Sequence, residues 1–387
     1  MTQPLDDRAV LEKLVAFDTT STRSNLELIE WIAAYLDGFG IPYRLTHDET
    51  RSKANLFATL GPSVDGGVVL SGHTDVVPVD GQDWTSDPFT LTERQGRLHG
   101  RGTCDMKGFI ALALARAPLY LKQAKRIPLH YAFTFDEETT CGGIRHLLTD
   151  LPASGARPRI AIIGEPTELH VANAHKGVMQ YSVAVTGLDG HSSQPERGVN
   201  AILAACEVIR EIDAIAAGHR AAPIAGSPFD PPYTTFNIGT IQGGTAQNIV
   251  PRECRFTWEF RPVPGEDEAG IERRVRDAIE TRILPEMRKV HPDARIEMRH
   301  EVVVPGLAPE PDGAAEQLVR HLTGANTSGT VSYGTEAGLF QRAGFSAVVC
   351  GPGSIAQAHK PDEFISLDQL AAGGRFLDRL GDWLGAQ

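Results

Sequence analysis

The chain has 387 residues, of which 41% are hydrophobic and 22% charged, with a formal net charge of -12. That length exceeds one ordinary core and points to two domains, while an acidic balance without a Lys/Arg cluster excludes a nucleic-acid or membrane surface as partner. Nowhere do about 18 apolar residues run together as a membrane span would require, and Met1 to Asp7 lacks the basic and apolar segments of a secretory leader, so a cytoplasmic protein is expected. Cys104, Cys141, Cys206, Cys254 and Cys350 are scattered and never form a C-x-x-C pair, which suits reduced thiols and not a disulfide framework or cysteine-zinc site.

In chain order, apolar spacing over residues 8–38 fits two helices, with cap residues available between Thr19 and Asn25. "GGVVLSG" (66–72), "LHYAFTF" (129–135), "RIAIIGE" (159–165) and "SAVVCG" (346–351) read as short buried strands. "MKGFIALALARAPLYLKQAK" (106–125) between the first two has helical length and composition. Compact apolar strands separated by helices predict a mostly parallel sheet with helices on both faces. From 178 to 304 the pattern changes to β-α-β-β-α-β, a ferredoxin-like α+β unit. The expected organisation is a catalytic metal-binding domain of residues 1–177 and 305–387, interrupted by an inserted dimerisation or lid domain of residues 178–304.

Polar residues suited to chemistry collect at the carboxyl ends of the predicted parallel strands, where open α/β sheets bind ligands. "VVLSGHTD" ends in His73 and Asp75, "YAFTFDEE" in Glu137 and Glu138, and "AIIGEP" in Glu165; "CGPGSIAQAHKPDE" places His359 soon after the fourth strand. Asp105, in "HGRGTCDMKG", precedes a predicted helix and can join them. Imidazoles and carboxylates without a cysteine suit zinc, or cobalt or manganese. Asp75 has the reach to hold the second nitrogen of His73. The candidate ligands outnumber what one tetrahedral zinc needs, which favours two metals sharing a carboxylate. Taken singly, "HTD" reads as a strand-end turn and "DEE" as a solvated loop. The recurrence of a metal-competent residue at the end of separate strands outweighs those readings. Glu137 and Glu138, as successive residues at a strand end, are expected to point apart, and Asp136 before them has no assigned role.

The stretches "SGHTDVVP", "GRGTCDMKG", "DEETTCGG", "GEPT", "GLDGHSSQP", "NIVP", a later "FRP" and "GPGSIAQAHKPDE" together resemble the co-catalytic zinc amidohydrolases, a family of deacetylases, desuccinylases, aminoacylases and carboxypeptidases, over nearly the whole chain. The resemblance implies two divalent ions per chain, Zn2+ foremost and Co2+ as an alternative, bridged by Asp105. His73 and Glu165 would hold one ion, Glu138 and His359 the other. Glu137 falls on the general base, Asp75 on the residue orienting His73, and His191 on an oxyanion donor that reaches into the partner chain of a homodimer formed through the inserted domain. Arg261 and Asn248 match a pair that grips the carboxylate of a small N-acyl amino acid. The family also carries a cis peptide at the position of Asp105 and Met106.

Within the family, "SYGTEAGLFQRAGFSAVVCGPGSIAQAHKPDEFI" and "VAFDTTSTRSN" resemble members that deacetylate a substrate with one carboxylate and a distant ammonium. Desuccinylases carry Gly-Thr-Ser-Asp where this chain has Gly334, Thr335, Glu336 and Ala337, and paired arginines where it has His175 and Lys176. Glu336 is therefore expected near the substrate ammonium; the alternative is that it caps the following helix. A broad aminoacylase or dipeptidase remains open. A non-catalytic binding protein on the same fold would be expected to lose Glu137 or a ligand, and none is missing.

Overall fold

The computed structural model describes residues 3–155 and 157–387. The chain divides into two compact units, one of Met1–His175, Leu307–Val331 and Thr335–Gln387, the other of Lys176–Gly306 with Ser332–Gly334.

The first unit is built on an eight-stranded sheet. Its order is Tyr43–His47, Ala54–Leu60, Leu129–Thr134, Val68–His73, Ile160–Pro166, Ser346–Gly351, Ala172–His175 and Gly329–Val331. The four apolar runs expected as strands are the four central ones, and they pair in parallel. Every residue of Val68–His73 and of Leu129–Thr134 is buried, as strands covered by helices on both faces must be. The sheet is mixed because Tyr43–His47 and Ala54–Leu60 add to one side antiparallel. In-register pairing of His73 with Thr134, and of Ser71 with Ile163, brings the carboxyl ends of three strands level. Gly164, just before Glu165, is required by close packing, since a Cβ there would lie 2.1 Å from the Phe109 ring.

Two details depart from expectation for local reasons. The segment 106–125 is two helices, Lys107–Ala115 and Ala117–Gln123, with Pro118 in the first turn of the second. Asn25 precedes the helix Leu26–Asp37 but does not cap it. Its amide instead exchanges hydrogen bonds with the Ala54 backbone (2.9 and 3.0 Å) and donates to Thr74 Oγ1 (2.9 Å), tying this turn to the sheet.

The second unit has the β-α-β-β-α-β order, with a four-stranded antiparallel sheet in the order Thr235–Gly243, Glu253–Arg261, Val178–Thr186, Arg295–Val304. Burial alternates strictly along Val178–Thr186, the mark of a sheet with one packed and one open face. Tyr181, Val183, Phe256, Trp258 and Phe260 face the helices Ala201–Ala221 and Glu268–Ala278 in a second core. The latter helix continues through a π turn, Ile279–Ile283, into Leu284–Arg288. Pro285 lacks the N–H that a regular ladder would use there.

Candidate active site in the first unit

The residues expected as metal ligands gather at the carboxyl ends of the parallel strands. His73 and Glu165 are buried strand residues. Asp105 lies in the loop before the helix Lys107–Ala115, followed by a cis peptide to Met106. His359 arrives on the loop after Ser346–Gly351. Asp105 stands between two imidazoles. Its Oδ1 is 3.0 Å from His73 Nε2 and its Oδ2 is 3.4 Å from His359 Nε2. A second acid accompanies each: Glu165 Oε1 lies 3.8 Å from His73 Nε2, and Glu138 Oε2 lies 3.0 Å from His359 Nε2. Ligand atoms of His73, Asp105 and Glu138 lie within 4.8 Å of one another, as do those of His73, Glu137 and Glu165.

His73 is oriented from behind. Its Nδ1–H donates to the backbone carbonyl of Asp75 at 2.8 Å, leaving Nε2 to face the acids. Asp75 thus meets the ring through its carbonyl; its carboxylate is 3.8 Å from Nδ1 and does other work. It accepts from Ser21 Oγ (2.6 Å) and from the amides of Glu137 (3.1 Å) and Glu138 (3.3 Å). Those two glutamates do not continue the strand. The strand stops at Thr134, Asp136 turns the chain in a left-handed conformation (φ 57), and Glu137–Thr140 forms one helical turn. Neighbouring side chains therefore diverge by helical rotation of about 100°, not by strand alternation. Asp136 itself pairs with Lys53, whose ammonium also donates to the Ser21 carbonyl. Cys141 Sγ lies 3.6 Å from Glu137 Oε1.

Electrostatics show what the cluster needs. Burial, and then mutual repulsion with Asp105 and with one another, pushes Glu137 and Glu165 well above the usual carboxylate range and Glu138 up to about 7. Burial opposes ionisation of Asp105 too, yet its bonds to His359 and His73 hold it low. Hydrogen bonds to Asp105 and Glu138 carry His359 up to about 10. Four acids crowded in low dielectric are costly unless a cation compensates them, and oxygen and imidazole donors suit divalent first-row ions. Burial, and then the surrounding carboxylates, push the nearby Cys104 and Cys141 thiols well above their ordinary range.

Sequence reading missed Ser21, Lys53 and a buried ion pair, Arg101 with Glu363, both 1% exposed. Glu363 accepts from the amides of Gly102, Cys104 and Asp105 (3.1, 2.9 and 3.0 Å), and so shapes the Asp105 loop. The available signal was a charge in each of "GRGTCD" and "HKPDE", segments that had to pack beside a site. Glu336 is 1% exposed and stands at the cap position of Ala337–Arg342 without making a cap bond. Ser71 Oγ donates to its Oε2 (3.3 Å); burial raises the carboxyl to about 7, and the Thr134 and Ser71 hydroxyls beside it oppose that rise.

The other expected site residues belong to the second unit. His191 lies on a two-residue strand paired with Ile249–Val250; its Nδ1 accepts from Ser193 N–H (3.1 Å), which makes Nε2 the protonated nitrogen of the neutral ring. Arg261 Nε donates to Glu259 (3.2 Å). Asn248 and Arg261 are not brought together within the chain. The pairings of Glu253 with Thr186 and of Val250 with Gly190 run away from Arg261. Asn248 therefore lies beyond one end of a strand whose other end, about 26 Å away at about 3.3 Å per residue, carries Arg261.

Residues 69–382 match the family model described as Peptidase family M20/M25/M40. The chain belongs to that family. It is 39% identical over 94% of its length to an acetylornithine deacetylase of Myxococcus xanthus, covering 93% of that protein. It is also 39% identical over 91% of its length to an acetylornithine deacetylase of Proteus mirabilis, covering 88%. A solved Bacillus subtilis protein, YXEP, described as a dinuclear metal binding peptidase of the M20 family, shares the fold with a TM-score of 0.67 at 16% identity, over 98% of both chains. This M20 member is accordingly a hydrolase acting on amide bonds. Among its described residues no helix is long and apolar enough to cross a membrane.

Proposed function

We propose that this enzyme hydrolyses the amide of N2-acetyl-L-ornithine to L-ornithine and acetate, a step of arginine biosynthesis in the cytoplasm, using two divalent ions, zinc foremost and cobalt as an alternative. The observation that carries the metal reading is Asp105, whose two oxygens each face a separate imidazole and carboxylate pair. The choice of substrate rests on the relatives named acetylornithine deacetylase.

In this reading His73 and Glu165 hold one ion, Glu138 and His359 the other, and Asp105 joins them. When bound, such ions acidify water and polarise an amide carbonyl. Glu137, the acid of the cluster left out of both pairs, takes the proton of the attacking water, holds it on its carboxylate and delivers it to the leaving amine. Asp75 fixes the turn that aims Glu137, through the two amides it accepts. His191 Nε2–H donates to the oxyanion. Arg261 grips the substrate carboxylate in a bidentate manner that lysine cannot copy, with Asn248 as the second donor. The two donors come from the two chains of a homodimer formed through the inserted unit. Glu336, a buried acid beside the Ser71 hydroxyl, receives the substrate ammonium.

Kinetics on N-acetylornithine, succinyl-diaminopimelate, N-acetylmethionine and a dipeptide, with zinc or cobalt, test the reading. N-acetylornithine should give the highest kcat/KM. A higher value on any other member of the panel overturns the assignment.

A further inference from the structure

His359 differs from the other ligands proposed above. Its side chain is 54% exposed where theirs are buried, and it sits on a turn with a left-handed backbone (φ 63). Something outside the sheet must fix it. Its carbonyl accepts a hydrogen bond from Gln82 Nε2 at 3.1 Å. The other end of the Gln82 amide, Oε1, accepts from Arg101 Nη2 (2.6 Å) and Trp84 Nε1 (3.0 Å). Arginine and the indole N–H are donors only, so the amide has one satisfied orientation, with Nε2 directed at His359. Arg101 lies over the Trp84 ring, 5.0 Å from its centroid, and its Nη1 donates to Glu363 (2.7 Å) and to the Lys360 carbonyl (3.3 Å). Through Glu363 the same arginine is tied to the amides that shape the Asp105 loop.

We infer that Gln82 is a positioning residue for His359 and tightens only the ion on that side of Asp105. Held by its carbonyl, the loop keeps the imidazole facing Asp105 Oδ2 and Glu138 Oε2. His73 and Glu165 take their places from the sheet and make no hydrogen bond to Gln82. The inference rests on the two-ion reading and adds that the two ions answer to different scaffolds.

The test is graded extraction of zinc from the full-length, zinc-loaded protein by a chelator, following metal release and thermal stability. Gln82→Glu keeps an acceptor for Arg101 and Trp84 but has no N–H for the His359 carbonyl. It should melt close to the wild type and release one ion about 10- to 100-fold more readily, the usual scale for losing an outer partner of a ligand. That ion should be the one missing from His359→Ala, and the other should be held as in the wild type. Release of both ions as in the wild type, or equal loosening of both, overturns the role of Gln82. A wild-type chain that holds a single ion overturns the two-ion reading and this inference with it.

Discussion

The cluster of the first unit and the donors of the second are built in opposite ways. His73, Asp105, Glu138 and Glu165 are packed away from water and tied to strands, loops and one another, with the half-exposed His359 ring set against two of them. His191 and Asn248 are exposed, Arg261 is half-exposed, and each bonds to near neighbours in its own sheet or loop. A site that must hold charge in place is assembled by the folding of one unit. A group that meets a substrate can remain at an accessible strand end, where little besides its own turn fixes it. The contrast predicts that changes at the proposed ligands of the first region alter metal content, and that changes in the second alter turnover alone.

The largest effect should come from Asp105→Ala. Removing the acid that faces both imidazoles should take bound zinc from two per chain to none and abolish turnover, as read by elemental analysis and initial rates. Glu137→Gln should separate metal from chemistry within the first region: zinc content stays, while kcat falls by about 10^3- to 10^4-fold, the upper range for a lost general base. Loss of metal in that variant would make Glu137 a ligand. His191→Ala should keep both ions and lower kcat by roughly 100-fold; an unchanged kcat would remove the second unit from the chemistry.

A smaller effect concerns pH and metal removal. Glu138 is raised from an ordinary value near 4.5 to about 7 in the metal-free fold. Between those values the folded chain binds more protons than the unfolded one. The stabilisation is full below about 4.5 and is lost as pH rises through about 7. Thermal melting of the metal-free protein should therefore decline from pH 5 to pH 8, and zinc should flatten that decline, since a bound dication stabilises the ionised acid. A metal-free melting temperature that rises over this interval would reverse the assigned electrostatics.

Much of this was legible in the sequence because it rests on local pattern. Four apolar runs gave the central parallel strands, and strict alternation with intervening helical periods gave the second unit. The gathering of acids and imidazoles was legible because the carboxyl ends of parallel strands meet wherever the strands pair in register. What stayed hidden depends on contacts across long sequence separations. Ser21 and Asp75 are 54 residues apart, and Arg101 and Glu363 are 262 apart; no periodicity links them. Asp136 had no role by pattern because its partner, Lys53, lies on a different segment. The edge strands Tyr43–His47 and Gly329–Val331 were missed since short, partly exposed strands carry no buried apolar run.

Anomalous X-ray diffraction at the zinc edge from zinc-loaded crystals would show whether Asp105 joins two ions held by different residues. Two peaks flanking Asp105 are expected, one against His73 and Glu165 and the other against Glu138 and His359. A single peak, or a second one away from Asp105, would mean that Asp105 does not join two ions.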